Sequence, residues 1–301
     1  MGDMMRVGII GGGSIGLLFG AYLGQNHAVT IFTRRHEQAQ KINELGISLF
    51  IKEAEEKVIA ADARFGDSGI TDQDILIIAV KQYDLPQLIS LLRSVPTAIP
   101  LCFIQNGMGH LELLNTLPQE TILVSTVEHG AKRLDDRTVS HNGVGQMNLS
   151  VYKGNYDMEE RFPKSYDPRF PICFHEEYRT IMTKKLMANA LINPLTVIFQ
   201  VKNGRLVDNP YYYELLKLMF EEIYSIFPLG DKEVLFNSII GICKNTKQNT
   251  SSMLKDIQEG RKTEIDAILG YILRVAERKG AKVKAIQMAY VMVKGIEQER
   301  R

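Results

Sequence analysis

Three polar side chains recur at every fourth position of the stretch KKLMANALINPLTVIFQVKNG (184–204): Lys185, Asn189 and Asn193. Helical spacing places i, i+4 and i+8 along one face. Their neighbours Leu186, Met187, Ala188, Leu191 and Ile192 are apolar. A lysine and two asparagines buried there without partners would be costly, whereas they would be useful lining a polar cleft; the other reading is a solvent face ahead of a proline-marked break. Lys184 points about 100° away and is expected to be solvated. Pro194 removes a backbone donor and is expected to kink or end the helix.

A second constellation lies in NTSSMLKDIQEGRKTEIDAILGYIL (249–273). Ser251 and Ser252 precede a short helical pattern, EGRK reads as a turn, and Thr263 with Asp266 resembles the start of a helix cap. From the residues alone, capping accounts for both serines and a favourable first-turn charge for Glu264.

The chain also opens with VGIIGGGSIG (7–16), in which Gly11, Gly13 and Gly16 fit G-x-G-x-x-G. The first glycine permits a tight turn, the second a close approach of backbone to a pyrophosphate, and the third close helix–strand packing. The N–H groups of Ser14 and Ile15, at the start of the helix that follows, face the phosphate with the positive end of the dipole. The motif follows a predicted strand, opens a predicted helix and sits within a ~30-residue strand–helix–strand unit, the context a dinucleotide site requires. A flexible turn without a ligand is the alternative. An acid roughly 20 residues beyond the loop would select NAD. The sequence has IFTRR there instead, so Thr33, Arg34 and Arg35 replace it. An arginine fork suits the 2′-phosphate of NADP, and NADPH is the expected cofactor. Solvated arginines at a helix start are the alternative.

Other strand ends converge on the same crevice, because ligands of doubly wound sheets bind beyond the carboxyl ends of the strands. Lys81 ends ILIIAVK, Asn106 and Gly107 lie in QNGMG (105–109), and His129 and Ala131 end a further strand. Asn-Gly is also an ordinary turn dipeptide, and His129 alone reads as structural.

The elements that must position these residues follow from hydrophobic periodicity. RVGII, AVTIFT, DILIIAVK, PLCFIQN and TILVSTVEHG read as strands, and SIGLLFGAYLGQ, RRHEQAQKINELG and DLPQLISLLRSV as helices. Continuous apolar strands alternating with helices predict a parallel, doubly wound sheet. VSHNGVGQMNLSVYKG reads as antiparallel strands and ICFHE as the last strand of the first domain. Beyond, helical patterns cover 177–199, 211–226, 231–246 and 264–295. The expected organisation is an α/β domain, 1–175, followed by an all-helical domain, 176–301.

The 301 residues carry 36 Lys plus Arg against 35 Asp plus Glu, which argues against non-specific nucleic-acid binding. Cys102, Cys173 and Cys243 form no C-x-x-C pair and read as reduced, structural thiols. No metal site is read. No apolar run approaches a membrane span, RVGII leaves no room for a signal peptide, and MGDMMR lacks an acylation signal. A cytoplasmic protein is expected. The long terminal helices can close the chain's own core or pack between subunits of a homodimer.

The segments GGGSIG, VKQYDL, QNGMGH, KLMANALINPLTVI, VKNG and NTSSMLKDIQEGRKTEID together resemble the ketopantoate reductase (2-dehydropantoate 2-reductase) family, in its order and at its approximate spacings. The resemblance implies an N-terminal Rossmann domain and a helical C-terminal domain, with the active site in the cleft. It implies NADPH-dependent reduction of 2-dehydropantoate to pantoate, a step toward pantothenate and coenzyme A. Position by position, it implies Lys185 as general acid and Asn189, Asn193, Asn203 and Ser252 as substrate-binding. Glu264 would lie where substrate and cofactor meet, and Lys81, Asn106 and Ala131 would contact the cofactor with Arg34 at the 2′-phosphate. The alternatives are a related NADP-dependent keto-acid or imine reductase and a non-catalytic NADPH-sensing protein.

Overall fold

The run RVGII buries Val7, Gly8, Ile9 and Ile10, and a strand apolar on both faces belongs inside a sheet. A computed structural model describing residues 4–51 and 55–300 places it there; residues 1–3, on which the expected absence of an acylation signal bears, lie outside the described residues. In chain order the elements of the first half are β1 (Arg6–Ile10), α1 (Ser14–Leu23), β2 (Ala28–Thr33), α2 (His36–Leu45), β3 (Ile47–Ile51), β4 (Glu55–Ile59), β5 (Asp62–Phe65), β6 (Ile75–Ile78), α3 (Leu85–Ser94), β7 (Leu101–Phe103), α4 (Leu111–Leu114), β8 (Ile122–Val127), β9 (Gly130–Arg133), β10 (Thr138–Gly143), β11 (Met147–Lys153), α5 (Met158–Arg161) and β12 (Ile172–His175). The remainder is helical: α6 (Tyr178–Phe199), α7 (Arg205–Asp208), α8 (Pro210–Ile226), α9 (Lys232–Asn245), α10 (Ser252–Gln258), α11 (Ile265–Arg278) and α12 (Lys284–Glu299).

The chain divides into two compact units, Met1–Gln105 with Glu112–Ile181, and Asn106–Leu111 with Met182–Arg301. In the first, an eight-stranded sheet has the order β12-β11-β8-β7-β6-β1-β2-β5. β5, β2, β1, β6, β7 and β8 run parallel, and β11 joins β8 antiparallel. Val7 of β1 faces Val29 of β2 on one side and Ile75 of β6 on the other. Strand order therefore reverses at β1, the Rossmann arrangement, and the glycine loop emerges at that reversal. A second sheet, β4-β3-β10-β9, joins β10 parallel to β3. In the second unit α11, α12 and α8 pack together over a core that includes Phe220, Ile223, Ile268, Leu269, Ile272 and Ile286.

The structure departs from the sequence reading in several places. His129 and Ala131 do not end the strand read over 121–130: β8 stops at Val127, and Ala131 lies in β9, which pairs with β10 in the small sheet. The apolar run 74–81 is a strand only over Ile75–Ile78; beyond it the Gln105 Nε2 amide donates to the Ile78 carbonyl at 2.7 Å and the Val80 carbonyl at 3.0 Å, the Ile78 carbonyl also accepting the Ile104 N–H at 3.4 Å. The two strands of 138–153 do not pair with each other: β10 joins the small sheet and β11 the large one. The helical pattern 264–295 is two helices, parted at Gly280, whose φ of +64° is left-handed. The Gly280 and Ala281 N–H groups close that end on the Glu277 and Ala276 carbonyls at 3.0 and 2.9 Å, a glycine C-cap. Pro194 does not end α6, which runs on to Phe199 and stops at Gln200, the one left-handed non-glycine among the described residues.

Among the described residues no helix is long and apolar enough to cross a membrane. Cys102, Cys173 and Cys243 are free thiols; burial pushes the Cys243 thiol up to about 11.

Beside α1, Tyr22 and His129 both stack on Phe170, with centroids 4.7 and 4.6 Å apart, and the Tyr22 hydroxyl meets His141 Nδ1 at 2.7 Å. Burial, aided by the neighbouring His141, lowers His129 to about 4 from an ordinary 6.5, and burial lowers His141. His110, in the second unit, is enclosed with neither ring nitrogen hydrogen-bonded and is pushed down to about 3. These rings are neutral in the folded chain, while the unfolded chain takes up protons near 6.5, so stability is complete above that value and falls as pH drops through the interval toward 4. The melting temperature should therefore decline between about pH 7 and about pH 5, and less steeply in His129→Gln; a flat profile for the natural chain would contradict this.

Candidate active site

The glycine loop is shaped by close backbone approaches. Gly11 has φ +115°, and a Cβ there would lie 3.1 Å from the Ala79 carbonyl carbon. Its N–H donates to the Phe32 carbonyl at 2.9 Å. A Cβ on Gly16 would lie 1.8 Å from the Gly11 carbonyl oxygen, so the first turn of α1 can rest on the loop only with glycine there. Gly13 is different: a Cβ on it would meet nothing within 4 Å. It is the N-cap of α1, no side chain caps that helix end, and its first turn holds no acid. An open, uncapped helix start is the electrostatic setting for an anion, so the residues present fit the pyrophosphate of a dinucleotide.

Neighbouring side chains hold the loop. The Gln38 Nε2 amide donates to the Gly12 and Asp136 carbonyls, both at 2.8 Å. The Arg133 N–H donates to Ser14 Oγ at 3.2 Å, and its guanidinium donates to the Gly12 carbonyl at 3.4 Å. Arg133 belongs to β9, as does Ala131. Accepting from Arg133, the Ser14 hydroxyl keeps its own proton to donate. Arg34 follows β2, is exposed, and pairs with Asp84 at 3.2 Å. Asp84 closes a turn opened by the half-buried Lys81, whose carbonyl accepts the Asp84 N–H at 2.9 Å. Arg34 and Lys81 thus flank one turn; in the Arg34–Asp84 pair the guanidinium is exposed and the carboxylate largely covered, and an ion pair with one partner in solvent contributes little. Arg35 is engaged by Asp136.

In the second unit, α6 carries Lys185 and Asn189, half-buried, and Asn193, buried, while Lys184 is exposed. Asn203, just beyond the helix, donates from Nδ2 to Thr246 Oγ1 at 2.9 Å and leaves a buried Oδ1 without a hydrogen bond. The structure separates the two serines: Ser251 caps α10 by accepting the Leu254 N–H at 3.1 Å, and Ser252, one residue on, is exposed. The expected Thr263–Asp266 cap is corrected. The Thr263 hydroxyl accepts the Ile265 N–H at 3.3 Å, but Asp266 turns to α12, where it accepts from Tyr290 at 2.7 Å and Lys294 at 3.2 Å.

Glu264 is the N-cap residue of α11 and is 94% buried, being 6% exposed. Its Oε2 accepts from Asn106 Nδ2 at 2.9 Å. Asn106 lies in the short segment that clusters with the helical unit. Gly107 next to it has φ +78°, and a Cβ there would lie 2.4 Å from the Ala267 carbonyl oxygen, so the chain must pass α11 as glycine. The Thr183 hydroxyl reaches Met108 Sδ at 3.9 Å.

The sequence reading missed Gln38, Gln105 and Arg133. Gln38 leaves a faint signal, a polar residue on the inward face of α2 beside Ala39 and Ile42. Gln105 and Arg133 leave none, since their roles arise from strand ends brought together by the sheets.

An open uncapped helix start at the strand reversal, with a basic residue rather than an acid after β2, defines a dinucleotide-dependent oxidoreductase of the Rossmann class joined to a helical unit. Comparison with known proteins narrows this. The family model described as ketopantoate reductase PanE/ApbA matches residues 7–154, and its C-terminal counterpart matches 177–297. The chain belongs to the ketopantoate reductase family. It is 40% identical to a 2-dehydropantoate 2-reductase of Listeria innocua, covering 100% of this chain and 99% of that one. It is 39% identical to one of Bacillus subtilis, covering 97% and 98%. The crystal structure of a probable 2-dehydropantoate 2-reductase from Bacillus subtilis superposes with a TM-score of 0.89 at 38% identity, over 97% of this chain and 100% of that one.

Gly13 and Gly16 should therefore respond differently to alanine. Gly13→Ala, placed in open space at an ordinary φ, should leave the melting temperature unchanged and weaken NADPH binding in calorimetry by about tenfold or more. Gly16→Ala should lower the melting temperature as well. Normal NADPH affinity in Gly13→Ala would contradict the placement of the pyrophosphate.

Proposed function

We propose that this chain catalyses NADPH-dependent reduction of 2-dehydropantoate to pantoate, with the first 175 residues binding NADP and residues 176–301 supplying the substrate and catalytic groups. The observation that carries the reading is the Lys185–Asn189–Asn193 row on α6, a charge and two amides on a helix whose other residues from Leu186 to Leu195 are buried and apolar. NADPH, when bound, supplies the hydride to the keto carbon.

Every other part of the step falls to the protein. As the keto oxygen gains charge, the Lys185 ammonium stabilises it and gives up a proton to form the hydroxyl, since a protonated amine is both a charge and a donor. Asn189, Asn193 and Ser252 hold the substrate carboxylate and hydroxyl, and the buried, unpaired Oδ1 of Asn203 is an acceptor for a substrate hydroxyl. Glu264, held by Asn106, marks where substrate and nicotinamide meet, and fixing the two partners together lowers the entropic part of the barrier. Gly11, Gly13, Ser14, Ile15 and Gly16 cradle the pyrophosphate, with Lys81, Asn106 and Ala131 alongside. Arg34 receives the 2′-phosphate, and no acid stands after β2 to repel it. Free thiols fit a cytoplasmic setting. A homodimer is the proposed assembly, for which the exposed Met288, Val291 and Met292 of α12 supply an apolar face.

The test is the loss of NADPH absorbance with 2-dehydropantoate beside a panel of other 2-keto acids. The highest kcat/KM should belong to 2-dehydropantoate with NADPH, above that with NADH. Lys185→Ala should lower kcat by ~10²–10⁴-fold and retain NADPH binding. Near-normal kcat in that variant would sink the general-acid role. A better substrate elsewhere in the panel would reassign the reaction.

A further inference from the structure

α6 and α10 meet through two buried hydroxyls that no part of the proposed chemistry uses. Thr196 and Ser251 are 0% and 6% exposed, and their oxygens lie 2.6 Å apart. The direction of the bond between them is fixed by their other partners. The Thr196 hydroxyl donates to the Asn193 carbonyl at 2.8 Å, which uses its one proton. Ser251 must then be the donor in the pair. The Ser251 oxygen accepts the Leu254 N–H at 3.1 Å. A single relay follows, from the Leu254 amide through Ser251 and Thr196 to the Asn193 carbonyl.

The ends of this relay matter. Asn193 is the last of the three polar residues on α6, and Ser252 is the first residue of α10, next to the cap that the relay orients. α10 is a short seven-residue helix that buries Met253, Leu254 and Ile257 and is tied at its far end through Asp256 to Arg261, so the hydroxyl pair is the directional contact at its start. A buried hydroxyl pair is directional and is costly to leave half-made.

We infer that Thr196 and Ser251 are positioning residues for the substrate site, locking the start of α10 onto α6 so that Ser252 is held in register with Lys185, Asn189 and Asn193. This rests on Ser252 binding substrate, as proposed above.

The experiment is a comparison of Thr196→Val, Thr196→Ser, Ser252→Ala and the Thr196→Val, Ser252→Ala double variant of the full chain. KM for 2-dehydropantoate, kcat, NADPH affinity and melting temperature are measured for each. Valine keeps the volume and removes the relay. It should raise KM by about tenfold with NADPH affinity unchanged, serine should restore KM, and valine should add little further in the Ser252→Ala background. An unchanged KM with only a lower melting temperature would show a purely structural pair and overturn the inference. So would effects of Thr196→Val and Ser252→Ala that multiply. Ser252→Ala with normal KM would instead overturn the reading of Ser252, and the inference with it.

Discussion

The bond from Asn106 Nδ2 to Glu264 Oε2, 2.9 Å long and 158 residues apart in sequence, is the constraint on which the candidate site turns. A carboxyl group as enclosed as Glu264 is costly to bury without hydrogen bonds. The donor comes from the loop that leaves β7, so a residue read from the sequence as a strand-end cofactor contact is fastened to the first turn of α11. Gly107 makes this geometrically feasible, because only a residue without Cβ fits against the Ala267 carbonyl at positive φ. The start of α11 is braced from its other side: Glu297 accepts the Thr263 N–H at 2.6 Å, and Asp266 is tied to Tyr290 and Lys294. The carboxylate is thus presented by a fixed backbone.

A similar economy shapes the glycine loop. Its conformation is set by what each Cβ would strike: backbone at Gly11 and Gly16, a side-chain amide at Gly12, and empty space at Gly13. The three glycines that make the loop compact leave the fourth open, and the uncapped end of α1 supplies the electrostatic reason for an anion to lie there. Around the loop, Arg34 pairs with Asp84, Arg35 and Lys41 with Asp136, and Arg133 with the Gly12 carbonyl.

Much of this fold was legible in the sequence, and the reasons for the exceptions are physical. β1, β2, β6 and β8 are continuous apolar runs because both faces are covered, and the glycines after β1 announce the turn. β4, β5 and β9 went unread because EEKVI, DARF and GAKR are short and largely polar, so pairing rather than hydrophobicity makes them strands; β3, ISLFI, is apolar and buried, but so short a run directly after α2 reads as no separate element. The α11–α12 joint was hidden by a glycine that a helical pattern tolerates until its φ is known. On α6 the spacing of Lys185, Asn189 and Asn193 was visible from periodicity alone. What periodicity could not show was the fastening of Asn106 to Glu264, of Gln105 to the carbonyls beyond β6, or of Arg133 to the glycine loop, since each joins distant segments through one directional contact.

The central claim is that Asn106 and Glu264 act as one unit in reduction. A double-mutant cycle on kcat/KM, with Asn106→Ala and Glu264→Ala alone and together, addresses it most directly. The account predicts strong coupling, the second substitution costing about tenfold less in the presence of the first. Independent effects that simply multiply would contradict it.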